Sequence, residues 1–193
     1  MSDPTILAFD TSGPYCAAAL LHRGQMSTRI DDMARGQAEH LMPMLEEVLA
    51  AAGIGWRDLD AVGVGIGPGN FTGIRISVSA ARGLALGLGI PAVGISGFDV
   101  LGLADTCRAL AIPAPRGQAY LMQGDGPALL VAETALPADV LTPDALTSEA
   151  RIEAVAQIAA TRRHDPALPR PAPLYIRPAN AAPARDTGPI LLP

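Results

Sequence analysis

The sequence predicts an α/β fold in two parts, and three observations predict it. The chain opens as strand, tight turn and returning strand. Buried strands then alternate with helices over the first part of the chain. Finally, the composition shifts: thirteen of the eighteen prolines lie from Pro113 onward, whereas glycine and small apolar residues crowd the earlier segment. The shift falls between residues 98 and 110, so the expected division is an N-terminal subdomain over 1–105 and a smaller, Pro-rich C-terminal one over 106–193.

The first strand is the apolar run Ile6-Leu7-Ala8-Phe9, which ends in the turn chemistry of Asp10-Thr11-Ser12-Gly13-Pro14. Cys16 to Leu21 follow as a second strand, and His22-Arg23-Gly24-Gln25 turn the chain into a third. From about Ala38 to Ala52, Leu41, Met44, Leu45, Val48 and Leu49 form one apolar stripe at helical spacing, with Gly53 as the stop and Met42 beside the stripe. Pro43 lacks an amide donor, so this helix starts late or bends there. Ala61 to Ile66 is a buried strand that runs through Gly67-Pro68-Gly69-Asn70 into a helix from Phe71 to Leu88. Gly73, Gly83 and Gly87 inside that helix cost about 1 kcal/mol each relative to alanine, so a closely packed neighbour is expected to compensate. Pro91 to Ile95 is a strand, and Ser96 caps a helix beginning near Gly97.

Beyond the boundary, strands are expected at Ala109–Ile112, Ala119–Gln123 and Leu129–Glu133, with a short last one at Leu174-Tyr175-Ile176. Thr142-Pro143-Asp144 reads as a helix start, and Ile152, Val155 and Ile158 as a weakly amphipathic helix. The Pro/Ala-rich tail from Pro166 is expected to be partly extended.

Hydrophobic residues make up 49% of the 193-residue chain and charged residues 17%, which fills a sizeable core and excludes wholesale disorder. A net charge of −5 with fourteen scattered Arg and no Lys supplies no basic face to displace counterions from phosphates. Any role in RNA chemistry is therefore expected to run through a partner. The N-terminus has no basic n-region, Arg75 and Arg82 interrupt the longest apolar candidate for a membrane span, and Cys16 and Cys107 are too few for a disulfide framework. Two buried thiols in a cytoplasmic protein are expected.

Two motifs carry possible chemistry. Gly67-x-Gly69-x-x-x-Gly73 lies between a strand and a helix, where backbone amides can close on an anion. It lacks both the dinucleotide spacing and a Walker lysine, so tight turning and close packing are the competing reading. Asp10-Thr11-Ser12 can hold magnesium through water and meet phosphate, or simply form an Asx turn. Asp10, Thr11, Ser12, Gly67 and Gly69 are thus the candidate residues of a vestigial nucleotide site. His22, His40 and His164 form no metal pair, no nucleophile elbow is present, and Glu39, Glu46 and Glu47 mark a wet face or an interface rim.

Taken together, Ile6–Ser12, Glu39-His40-Leu41-Met42-Pro43-Met44-Leu45, Gly67-Pro68-Gly69-Asn70-Phe71-Thr72-Gly73-Ile74-Arg75, Gly83-Leu84-Ala85 and Ile90–Ser96 resemble the TsaB (YeaZ) family. The later half matches loosely, at Arg116–Tyr120 and Leu174–Arg177, and Pro113 and Pro115 stand where the family usually has Asp and Arg. The resemblance implies an actin/Hsp70-like (ASKHA, ribonuclease H-like) fold with a reduced second subdomain. It also implies a non-catalytic role in making threonylcarbamoyladenosine at position 37 of tRNA. The implied partners are a TsaD-like catalytic subunit and a TsaE-like ATPase, with a homodimer when the chain is alone, tRNA contacted only indirectly, and no membrane. No catalytic residue, metal or resident cofactor is implied, though ATP or ADP at a partner interface is. Where TsaD has an H-x-x-x-H metal pair, the aligned positions are Gly97 and Leu101, which carry no ligand atoms. The family associates through its two helices, which places the interface at Leu41, Met42, Leu45, Gly73, Ile74, Ser77, Val78, Ala81, Leu84 and Ala85. The alternatives are an ATP-binding ASKHA enzyme and a metallopeptidase-like glycoprotease.

Overall fold

The structure, a computed structural model, describes residues 3–105 and 109–176; Cys107 and the tail beyond residue 176 lie outside them. Five strands form the main sheet: β1 (Ile6–Asp10), β2 (Tyr15–His22), β3 (Gln25–Asp32), β4 (Ala61–Gly65) and β5 (Ala92–Ile95), in the order β3-β2-β1-β4-β5. β1, β2 and β3 pair antiparallel, whereas β4 and β5 extend the sheet parallel to β1. The β2–β3 turn places Arg23 and Gly24 at positive φ, the conformation a tight hairpin requires.

β1 lies at the centre and is covered on both faces, so it is apolar throughout rather than alternating. Leu7 and Phe9 join the core beneath α1 (Gln37–Ala51) and α2 (Phe71–Leu88), whereas Ile6 and Ala8 join a second core on the opposite face. That second face is covered by α4 (Ser148–Arg162), through Ile152, Val155 and Ile158. The fit is close because the sheet is lined there by Ala8, Ala17, Ala19 and Ala61; a Cβ on Gly63 would stand 2.9 Å from that of Ala159. Helix α4 belongs to the segment that composition assigned to the second subdomain, yet it packs on the first sheet.

The second sheet is an antiparallel meander of β6 (Leu110–Ala114), β7 (Gln118–Met122) and β8 (Leu129–Ala132), joined to α3 (Gly97–Ala104) by Phe98, Leu101, Leu110 and Ile112. Ser96 and Asp99 form a reciprocal cap on α3, and Arg162 of α4 donates to Asp99 at 2.7 Å. Burial acts to raise the Asp99 carboxyl, but the Ser96 and Arg162 donors outweigh it and hold the group below its ordinary value.

Three expectations are corrected. Helix α1 does not start late: Pro43 sits inside it, after an αL cap at Gly36. Thr142-Pro143-Asp144 opens only a single turn of 3-10 helix, Pro143–Ala145; α4 begins later because Thr147 caps it, accepting from the Ala150 amide at 3.1 Å. Leu174-Tyr175-Ile176 form no strand, and the segment instead attaches through the Leu174 amide, which donates to Ile66 O at 2.9 Å.

Candidate functional site

The Asp10-Thr11-Ser12 turn and the Gly67–Asn70 loop leave adjacent parallel strands on the same side, and they bond to each other. The Asn70 amide donates to Ser12 O (2.7 Å), the buried Thr11 hydroxyl to Gly73 O (2.6 Å), and the Gly97 amide to Gly67 O (2.9 Å). Glycine is required at this junction by close approach. A Cβ on Gly73 would lie 1.8 Å from Thr11 O, one on Gly69 2.7 Å from Ser12 O, and one on Gly65 2.5 Å from the Asp10 carboxyl carbon. The Ser12, Asn70 and Gly73 amides are thus engaged within the protein. The close-packing reading of the glycines accounts for this geometry.

Of the candidate nucleotide residues, Asp10, Ser12 and Gly67 line one cavity; Thr11 lies beneath it, and Gly69 faces a separate groove. The cavity holds about 100 Å³ and is closed by Tyr15, Ser96, Leu101, Ile112 and Arg151. Burial pushes the Asp10 carboxyl above its ordinary value, partly offset by the Ser12 amide (2.7 Å), the Ser12 hydroxyl (2.9 Å) and Tyr15. Burial, helped by the Asp10 charge, also pushes the Tyr15 hydroxyl up to about 12. Arg151 holds Ser148 Oγ at 2.9 Å, while its buried Nε has no partner among the described residues. Sequence reasoning missed Arg151 because only the return of α4 brings it to the turn after β1. Gly97 and Leu101 border this cavity: a Cβ on Gly97 would meet Ile112 Cδ1 at 2.6 Å, and Leu101 is core. Among the described residues, no three His, Cys, Asp or Glu side chains are placed to share a metal. His40 bonds Asp31 at 2.7 Å and His22 lies 3.0 Å from Thr5 Oγ1, both structural contacts.

The predicted partner face needs correction. Leu41, Leu45, Gly73, Ile74, Ser77, Val78 and Ala81 are buried against the sheet, because the apolar stripe of each helix is spent on the protein's own core. Met42, Leu84 and Ala85 remain partly exposed. Met42 and Leu84 line a groove of about 490 Å³ between α1 and α2, with Trp56, Ala80, Gly83, Gly87 and Leu88. A Cβ on Gly83 or Gly87 would meet nothing within 4 Å, so among the described residues no neighbour compensates these two glycines. Leu86, on the same helix, is 87% exposed. Trp56 escaped sequence reasoning because it sits in the turn after α1, outside any periodic pattern.

The family model TsaD, tRNA N6-adenosine threonylcarbamoyltransferase, matches residues 31–176. The tRNA threonylcarbamoyladenosine biosynthesis protein TsaB of Haemophilus influenzae is 41% identical over 105 residues, covering 54% of this chain and 44% of that protein. Its Escherichia coli counterpart is 37% identical over 91 residues, 47% of this chain and 39% of that one. Each match thus spans less than half the length of the curated relative. The solved structure of YeaZ from Pseudomonas aeruginosa aligns over 90% of this chain and all of that one, with a TM-score of 0.67 and 25% identity. These matches and the mixed sheet agree on the actin/Hsp70-like fold.

Proposed function

We propose a function from one premise: this chain belongs to the TsaD family, in its TsaB/YeaZ branch. It is a non-catalytic subunit of the machinery that makes threonylcarbamoyladenosine in tRNA, acting in the cytoplasm as a surface on which a TsaD-like catalytic subunit assembles. The observation that carries this reading is the open face of α1 and α2, where Gly83 and Gly87 present bare backbone beside Met42, Trp56 and Leu84. Small residues let a partner helix approach closely, and a stable interface needs roughly 800 Å² on each partner. The same face pairs two copies when the chain is alone. A TsaE-like ATPase joins through the resulting complex, and tRNA is met through the partner.

Two features support a non-catalytic role. Gly97 and Leu101 offer no ligand atoms where the catalytic relatives carry a histidine pair, and the cavity beside Asp10 is too small for a nucleotide, whose pockets run to about 300–1,000 Å³. ATP or ADP is accommodated only where a partner completes the site.

Gel filtration of the purified chain with the TsaD-like subunit of the same organism tests the assembly. Co-elution at micromolar concentration is expected, lost in Gly87→Arg or Met42→Glu while circular dichroism stays native. Separate elution of the two native proteins defeats the reading. Calorimetry with Mg-ATP addresses the alternative, an ATP-binding enzyme, favoured only by the Asp10 carboxylate facing a cavity; tight binding with turnover would establish it in place of the assembly role.

A further inference from the structure

A second groove, of about 600 Å³, opens where the C-terminal end of α2 meets the segment that follows α4. Arg82, Arg163 and Arg170 line it, against one carboxylate, Asp165. Three cations and one anion leave a local charge of 3 − 1 = +2 on a chain whose net charge is −5. Among the described residues, no carboxylate lies within ion-pair distance of any of these arginines. Asp165 is itself engaged, accepting from the Ala167 amide at 2.8 Å, and neighbouring Arg162 is committed to Asp99. The groove between the arginines is apolar, formed by Ile90, Leu168 and Pro171, with exposed Leu86 on its rim.

We propose that this groove docks an acidic segment of a protein partner, its carboxylates on Arg82, Arg163 and Arg170 and an apolar side chain against Leu86 and Leu168. Arginine suits the task because its planar fork meets a carboxylate with two parallel hydrogen bonds and sheds water more readily than an ammonium. Arg163 donates to the Ala160 carbonyl oxygen, so the three arginines lack carboxylate partners rather than all partners, and arginine is enriched at protein interfaces. Nucleic acid fits less well. No aromatic ring lines the groove for a base to stack on, and three arginines release few counterions.

The groove is distinct from the α1–α2 face, although Gly83 borders both. Arg170 and Leu168 come from neither helix, so this surface can be altered alone.

Fluorescence anisotropy on the full chain tests the proposal, using a labelled, end-capped peptide of repeating Glu-Glu-Leu-Leu. A Glu-Gly peptide of equal charge and an oligouridylate of equal length are the controls. Saturable binding of the Glu-Leu peptide is expected, weakened about tenfold by Arg170→Glu and by Leu86→Ser, and weakened by added salt. Met42→Glu should leave this binding intact while abolishing the TsaD-like complex, and Arg170→Glu should do the reverse, so the two readings fail separately. Should Arg170→Glu lower the melting temperature, Arg170→Gln replaces it. The proposal is overturned by no saturable peptide binding or by binding indifferent to the substitutions. Equal affinity for the Glu-Gly peptide, or tighter binding of the oligouridylate, overturns it as well.

Discussion

Gly73 and Gly87 occupy the same helix, and an added methyl group separates their roles. At Gly73 the methyl carbon would stand 1.8 Å from Thr11 O, a backbone atom that cannot yield without moving the turn after β1. Gly73→Ala is expected to cost about 3 kcal/mol in chemical denaturation. At Gly87 the methyl meets none of the described residues, so Gly87→Ala should stabilise the isolated chain by about 0.5–1 kcal/mol. If α2 docks a partner closely, that more stable variant should bind the TsaD-like subunit less well, a pairing of effects that titration of the complex reads directly. Asp10 adds a pH-dependent case. Its folded carboxyl holds a proton to higher pH than in the unfolded chain, so stability falls as pH rises from the ordinary value of 3.8 through the raised folded value. Asp10→Asn should therefore melt a few degrees higher than the native chain at pH 7, and the gap should close toward pH 4. The sequence displayed these glycines and this aspartate plainly. What it left open was which glycine faces backbone and which faces water, because that depends on the β1 turn meeting α2.

At the scale of elements, the helix periodicities were legible because each apolar stripe answers to one sheet face. Helix α2 runs over Phe71–Leu88 as expected, with Asn70 capping its start and Gly89 its end. The stripe was also misleading. A period finds the face that is buried, and the sequence does not say whether the burying surface is the protein's own sheet or another chain. Ala81 illustrates the difference: it is fully buried, so Ala81→Arg is expected to unfold the monomer and to appear in inclusion bodies rather than as a folded, binding-deficient protein. A milder contact fixes α1 to the sheet edge. His40 and Arg29 hold Asp31 at 2.7 and 2.9 Å and keep its carboxyl below the ordinary range. This contribution is present above 3.8 and lost as pH falls through the lower folded value. These groups are partly exposed, so Asp31→Asn should cost no more than about 1 kcal/mol at neutral pH.

At the scale of the whole molecule, composition changes near residue 105 but carries no sign of the return of the chain across that point. Proline content marks where loops lengthen; it carries no record of which face a later helix covers. Helix α4 closes the alanine-lined side of the first sheet, and it brings Arg151 to the cavity beside Asp10. A chain ending at Asp105 should therefore lack cooperative melting by circular dichroism and bind a hydrophobic dye, because one sheet face would stand bare.

The return of α4 also has a consequence for how the protein is made. Every strand of the first sheet has left the ribosome well before Arg162 is joined, about sixty residues after α3 is complete. At about 5–20 residues per second, the alanine-lined face waits several seconds for its cover. During that interval the nascent chain is a client for whatever chaperone waits at the exit, and slowing its translation between α3 and α4 should lower its yield.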